Sequence, residues 1–194
     1  DSVYGSVKPR SGDTLQSAAG RYAGCFLDFM PGTAQYYSAV LAFDVLAAVV
    51  ERATGADYGS FVKKEIFLPL GMERTSYRLS DFLPCELART CACKDGVLTP
   101  EPLHSAFEDF PAGYTGGGAG LVSTLNDYML FAEELLRALS GKGRILSRES
   151  AAEMSRPQLS KEIEGISDFY NWGLGVRALA AQCEWQPLPA GSFG

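Results

Sequence analysis

Apolar residues fall into a few helical registers separated by glycine and proline. Leu15, Ala18, Ala19, Tyr22 and Ala23 recur at three- and four-residue spacing behind Asp13 and Thr14, either of which can cap a first turn. Gly24 closes that stretch. A Pro31-Gly32 turn follows, and Tyr36-Tyr37-Ser38 leads directly into the densest apolar run, Ala39 to Val50, interrupted by Asp44. Because almost every face of this run is apolar, it predicts a helix packed centrally, ending at Gly55. Asp57 predicts the N-cap of the next helix, with Tyr58, Phe61, Val62 and Ile66 on one face and Pro69 as its stop.

From Arg74 to Pro111 the periodicity is poor, and Asp95-Gly96 signals a hairpin between two short strands. A glycine-rich segment, Gly116 to Gly120, precedes a helix capped by Ser123 or Thr124. The buried stripe of that helix reads as Leu125, Tyr128, Ala132, Leu135, Leu136 and Leu139, up to Gly141. A short helix fits Ser147 to Met154 before Pro157, and Tyr170 to Val176 reads as a strand containing two glycines. Leu188 to Gly194 carries no stop signal and predicts a chain breaking off within a structure. The expected class is mainly α, α+β overall, with a few short strands.

Composition narrows the function classes. Hydrophobic residues make up 46% of the 194, which is the balance of a globular chain and excludes disorder as the main state. Seventeen Lys plus Arg against 23 Asp plus Glu leave a formal charge of -6, a poor match for nucleic acid or anionic membrane. The longest apolar run falls short of the roughly 20 residues a bilayer span needs. The opening Asp1-Ser2-Val3-Tyr4 shows no targeting signal, so the compartment stays open. Five cysteines, with Cys91 and Cys93 too close to pair comfortably, argue against a complete disulfide framework.

Several motifs could carry chemistry. Ser60-Phe61-Val62-Lys63 matches Ser-x-x-Lys, in which a lysine one turn on takes the proton of a nucleophilic serine, but such pairs arise often by chance. His104 with Cys85, Cys91 and Cys93 makes a four-ligand set whose Cys-x-Cys spacing fits zinc badly, so free thiols and a loop histidine are the expectation, with no metal and no cofactor. The glycine run lacks the residues of a phosphate loop and reads as close backbone packing or a loop over a cleft. Tyr37, at the entry to the apolar helix, is either an amphipathic core residue or a phenol used as a proton carrier.

The order of segments adds to this reading. Phe29-x-Pro31-Gly32-Thr33, Tyr37-Ser38, Glu51 to Gly55, Phe67 to Met72 with Thr75, Gly117 to Thr124 with Asp127, and Trp172 to Val176 together resemble the serine β-lactamase-like family of class C β-lactamases, DD-peptidases and related esterases. The resemblance implies the helical portion of that fold, roofing a cleft, with residues 1–28 as a lead-in and short helix. It implies residues 29–176 as the helical portion and 177–194 as a connection to a C-terminal sheet. The family's nucleophilic Ser-x-x-Lys and its Lys-Thr-Gly or His-x-Gly strand are expected outside these residues, so that the chain by itself is inactive. Tyr37 matches the tyrosine of the family's Tyr-x-Asn element and is implied as the catalytic position. Ala39 stands where that element has Asn, which leaves a non-catalytic binding or scaffolding homologue as the alternative. A small molecule or a peptidoglycan peptide is the implied substrate of the whole enzyme.

Overall fold

The structure, a computed structural model, describes residues 8–38, 40–89, 91–101, 111, 113–163, 165, 167–179 and 187–194. His104 and Ala39 lie outside the described residues. The chain divides into two compact units, one formed by Asp1–Cys25, Ser38–Leu68 and Met72–Asp127, the other by Phe26–Tyr37, Pro69–Gly71 and Tyr128–Gly194.

In the first unit, helix α1 (Leu15–Tyr22) starts from a reciprocal cap in which Thr14 Oγ1 accepts from Ser17 N and Ser17 Oγ from Thr14 N. Helix α2 (Leu41–Thr54) ends as expected at Gly55, whose φ of 68° allows its N–H to reach the Glu51 carbonyl at 2.8 Å. The two helices bury Leu15, Ala18, Ala47 and Ala48 together with Tyr114, small side chains that permit close approach. Gln16 reinforces the contact, its Nε2 donating to Ala48 O at 2.9 Å and to Glu51 Oε2 at 3.0 Å.

Helix α2 is not buried all round. Its buried positions are Asp44, Ala47 and Ala48, whereas Val45, Leu46 and Val49 stay exposed. The hydropathy of the run overstated its burial because one face alone meets α1 and Tyr114. Helix α3 (Tyr58–Val62) has the expected Asp57 cap, but the helical path continues through a π-helical turn, Lys63–Phe67, into Leu68–Leu70. Pro69 therefore does not stop it. In the wider turn Leu68 N reaches Lys63 O, five residues back. Strands β1 (Cys91–Lys94) and β2 (Val97–Pro100) form the predicted hairpin, with Asp95 and Gly96 both at positive φ, 51° and 78°.

Asp13 closes this unit's N-terminal end by an ion pair with Arg21 and by accepting from Arg10 N. The Arg21 guanidinium, then the Arg10 amide, hold its carboxyl well below the usual carboxylate range. A depressed folded-state value means the stabilisation is full above the unfolded-state value of about 3.9 and is lost as pH falls through the folded one. We expect Asp13→Asn to lower the melting temperature by a constant amount across neutral and alkaline pH, with the difference from the parent protein closing as pH falls below about 4.

Helix α4 (Leu125–Leu139) begins in the first unit and lies mostly in the second. Its buried face differs from the predicted stripe: Leu135 and Ala138 are buried beside Asp127 and Glu134, while Leu125, Tyr128 and Leu136 are 76%, 62% and 64% exposed. The acids are buried because they serve backbone donors. Asp127 Oδ2 accepts from Arg74 N at 2.8 Å and Thr75 Oγ1 at 2.7 Å within the first unit. In the second, Glu134 Oε1 accepts from Arg144 N at 2.7 Å and Ile145 N at 2.9 Å.

Helix α5 (Arg148–Ser155) is capped by Ser147, as its sequence predicts. The segment read as one strand is instead a hairpin of β3 (Tyr170–Trp172) and β4 (Arg177–Leu179). Gly173 to Val176 form its turn, with Gly175 at φ 78°, and Gly173 N donates to Val176 O at 2.8 Å. Beyond it, Arg177 and Gly194 exchange backbone hydrogen bonds, so Gly194 pairs with β4.

Candidate active site

Tyr37 sits in the second unit, at the end of an irregular segment that reaches it from the Pro31-Gly32 turn. Two residues before it, Gln35 Nε2 donates to Gly165 O at 2.6 Å and ties the segment down. One residue after it, Ser38 Oγ accepts from Ala42 N at 3.2 Å and supplies the start of α2 with a side-chain acceptor. The phenol is therefore delivered by a short length of chain tied down within its own unit at Gln35. Tyr37 is 57% exposed as a residue, and its ring stacks on Trp172, with ring centroids 5.5 Å apart and planes 13° from parallel. Tyr37 is not a buried core tyrosine. An exposed phenol held in this way can donate and accept a hydrogen bond toward a bound molecule, which proton transfer requires.

Around Trp172 the second unit assembles further aromatic and cationic groups. Tyr170 meets the indole edge-on at 5.9 Å, and the Arg177 guanidinium lies 5.3 Å from the indole centroid and 4.8 Å from that of Tyr170. These contacts follow from the hairpin register, which sets Trp172 opposite Arg177.

The first unit holds the glycine-rich segment by a different device. Asp44, the polar interruption of the apolar run, is fully buried and accepts from Tyr114 Oη at 2.9 Å and from Gly117 N at 2.8 Å, with Gly118 N at 3.4 Å. Burial, and then the neighbouring Asp44 carboxylate, push the Tyr114 phenol far above the usual tyrosine range, so it stays a donor. A Cβ at Gly117 would stand 2.1 Å from Phe43 O, so the loop lies directly on the backbone of α2. Close backbone packing, one of the two expectations for this segment, is what the structure shows. The Gly117 and Gly118 amides are turned inward to Asp44.

Ser60 and Lys63 are both exposed, Ser60 in the five-residue α3 and Lys63 at the start of the π-helical turn. Cys85, Cys91 and Cys93 are exposed free thiols, and among the described residues no group of three or more His, Cys, Asp or Glu is placed to hold a metal. No helix among the described residues is long and apolar enough to cross a membrane. Two groups escaped the sequence reading. Trp172 was visible as part of a motif but not as the partner of Tyr37, and Asp44 registered as an interruption. A lone acid inside an otherwise apolar helix is itself a signal, since burial then demands donors from elsewhere.

The capped helices, the glycine segment seated on α2 and the exposed tyrosine that precedes it define part of a beta-lactamase-like fold. The chain belongs to the Beta-lactamase family, whose profile matches residues 3–183. Among its relatives, Esterase EstB of Burkholderia gladioli is 36% identical over 139 residues, covering 62% of this chain and 34% of that protein. The solved structure of EstCE1, described as a hydrolase with promiscuous acyltransferase activity, superposes with a TM-score of 0.77 at 25% identity, over 97% of this chain and 53% of that one. A penicillin binding protein from Bacillus halodurans shares the fold, with a TM-score of 0.65 at 22% identity over 88% of this chain and 47% of that one. The chain thus spans about a third of EstB and about half of EstCE1.

Proposed function

We propose that the chain is the helical portion of a serine hydrolase that works through an acyl-enzyme on ester substrates, with Tyr37 as its proton carrier. The observation that carries this reading is the exposed, stacked phenol at the family's tyrosine position. The esterase relative at 36% identity supports an ester over a β-lactam, as does Ala39 in place of the Asn amide. The nucleophilic serine, its lysine and the closing strand would come from sequence outside these residues, and the chain alone would then be inactive.

In the reaction, the serine oxygen bonds to the ester carbonyl carbon as its proton passes to the Tyr37 oxygen, while the phenol's own proton moves to the neutral amine of the lysine that would come from outside these residues. The same phenol returns a proton to the departing alcohol as the ester bond breaks, leaving an acyl-serine. Water attacks the acyl-serine in the second half, losing a proton by the same route and restoring the serine hydroxyl. Such a group contributes about 10²-fold or more to rate.

Tyr37→Phe in the full-length protein is expected to lower kcat for p-nitrophenyl acetate about 10²-fold while the far-ultraviolet spectrum stays unchanged, because the ring that stacks on Trp172 is kept. A wild-type rate would overturn the proton-carrier role. The second reading, a binding or scaffolding homologue, rests on Ala39. It is favoured if the full-length protein neither hydrolyses short-chain esters nor takes a fluorophosphonate label on serine.

A further inference from the structure

We propose that Trp172 is a positioning residue for Tyr37, its indole forming the platform that fixes the phenol for proton transfer; this rests on the reading of Tyr37 given above. An exposed side chain on an irregular segment has several staggered orientations open to it, and a displacement of about 1 Å in a reacting group can cost about 10²-fold in rate. The Tyr37 ring lies in a near-parallel stack on Trp172, at a separation within the range favoured by aromatic pairs.

The platform is itself fixed. Trp172 O accepts from Gln158 N at 2.8 Å, and Trp172 N donates to Asn171 Oδ1 at 2.7 Å. Buried Asn171 in turn gives Nδ2 to Leu159 O at 2.7 Å and accepts from Leu159 N at 3.2 Å. On the other side of the turn, Leu174 N donates to Met154 O at 2.9 Å, which anchors the hairpin to α5. The Arg177 guanidinium and the edge of Tyr170 further limit the indole. An anchored ring is therefore joined to an exposed one, and the phenol takes its orientation from the hairpin.

The test is a double-variant cycle in the full-length protein, read as p-nitrophenyl acetate hydrolysis. Trp172→Leu is expected to lower kcat about tenfold with KM within about twofold, and Trp172→Phe, which keeps a stacking ring, to restore most of the loss. In a Tyr37→Phe background Trp172→Leu should cost little further, because the hydroxyl it positions is gone. Equal loss in both backgrounds, or an effect on KM alone, would overturn the positioning role while leaving the Tyr37→Phe defect, and so the functional reading, intact. A Tyr37→Phe enzyme with the wild-type rate would instead sink both.

A second measurement stands apart from catalysis. The near-ultraviolet circular dichroism of Trp172, isolated by subtracting the Trp172→Phe spectrum, should change in Tyr37→Leu and persist in Tyr37→Phe. An indole band unchanged in Tyr37→Leu would show that no stack exists. This comparison decides the matter even if Trp172→Leu fails to fold.

Discussion

Asp44→Ala is expected to destabilise the protein by about 2–4 kcal/mol, as measured by urea denaturation, since it removes the acceptor shared by buried neutral donors and leaves a cavity. Asp44 is the fully buried acceptor for Tyr114 Oη and for the Gly117 amide. Alanine would take the shared acceptor from the Tyr114 hydroxyl and the Gly117 amide beside the cluster of Leu15, Ala18, Ala47 and Ala48, and would leave a cavity the size of a carboxylate. The loss should exceed that of Asp44→Asn. Asparagine fills the same volume and its carbonyl oxygen can still take the Gly117 N–H, while its amide group faces the Tyr114 hydroxyl and obliges it to accept. A loss below about 1 kcal/mol for Asp44→Ala would show that the glycine segment is not held through this carboxylate. Tyr114→Phe offers an internal comparison, because it removes one donor and keeps the ring; we expect it to be milder than Asp44→Ala.

The second large effect belongs to the hairpin. Gly173→Ala places a Cβ 2.2 Å from Met154 O and 3.0 Å from Val176 Cγ2, and the first of these is backbone that cannot swing away. The turn must open or separate from α5, breaking the Leu174 N to Met154 O bond, at a cost of about 3 kcal/mol, near the upper end for an overpacked site. Gly175→Ala is a different perturbation: a Cβ there meets open space, and its penalty comes from a φ of 78° alone. Urea denaturation of the two variants separates steric from conformational cost. Gly173→Ala should be the more destabilising, and it alone should alter the Trp172 signal, since the displaced residue is bonded directly to it.

The elements most legible in the sequence were those whose bonds close within a few residues. Thr14, Asp57 and Ser147 each accept from a backbone amide three positions on, Gly55 takes the left-handed conformation that ends α2, and Asp95-Gly96 turns the hairpin. Each needs only its immediate neighbours, so residue type and spacing suffice. The faces of α2 and α4 were misjudged for the opposite reason. Hydropathy ranks Leu46, Val49, Leu125 and Leu136 as buried and Asp44, Asp127 and Glu134 as exposed, whereas the chain buries the acids against distant backbone donors. The single strand read over Tyr170 to Val176 failed similarly beyond Trp172, because the carbonyl of Met154 that Gly173 packs against lies in a helix remote in sequence.

Of the candidate site, the sequence supplied Tyr37 through its order of motifs, but not what its ring rests on. Local chemistry determined the caps, the turns, the helix ends and the family to which the chain belongs. Tertiary structure decided which helix faces are covered, that a lone aspartate organises the glycine segment, and that the phenol stacks on Trp172. These decisions rest on partners remote in sequence, 70 positions from Asp44 to Tyr114 and 73 to Gly117. The energy of a buried polar group or an aromatic stack depends on what the fold brings to it, which no local pattern encodes.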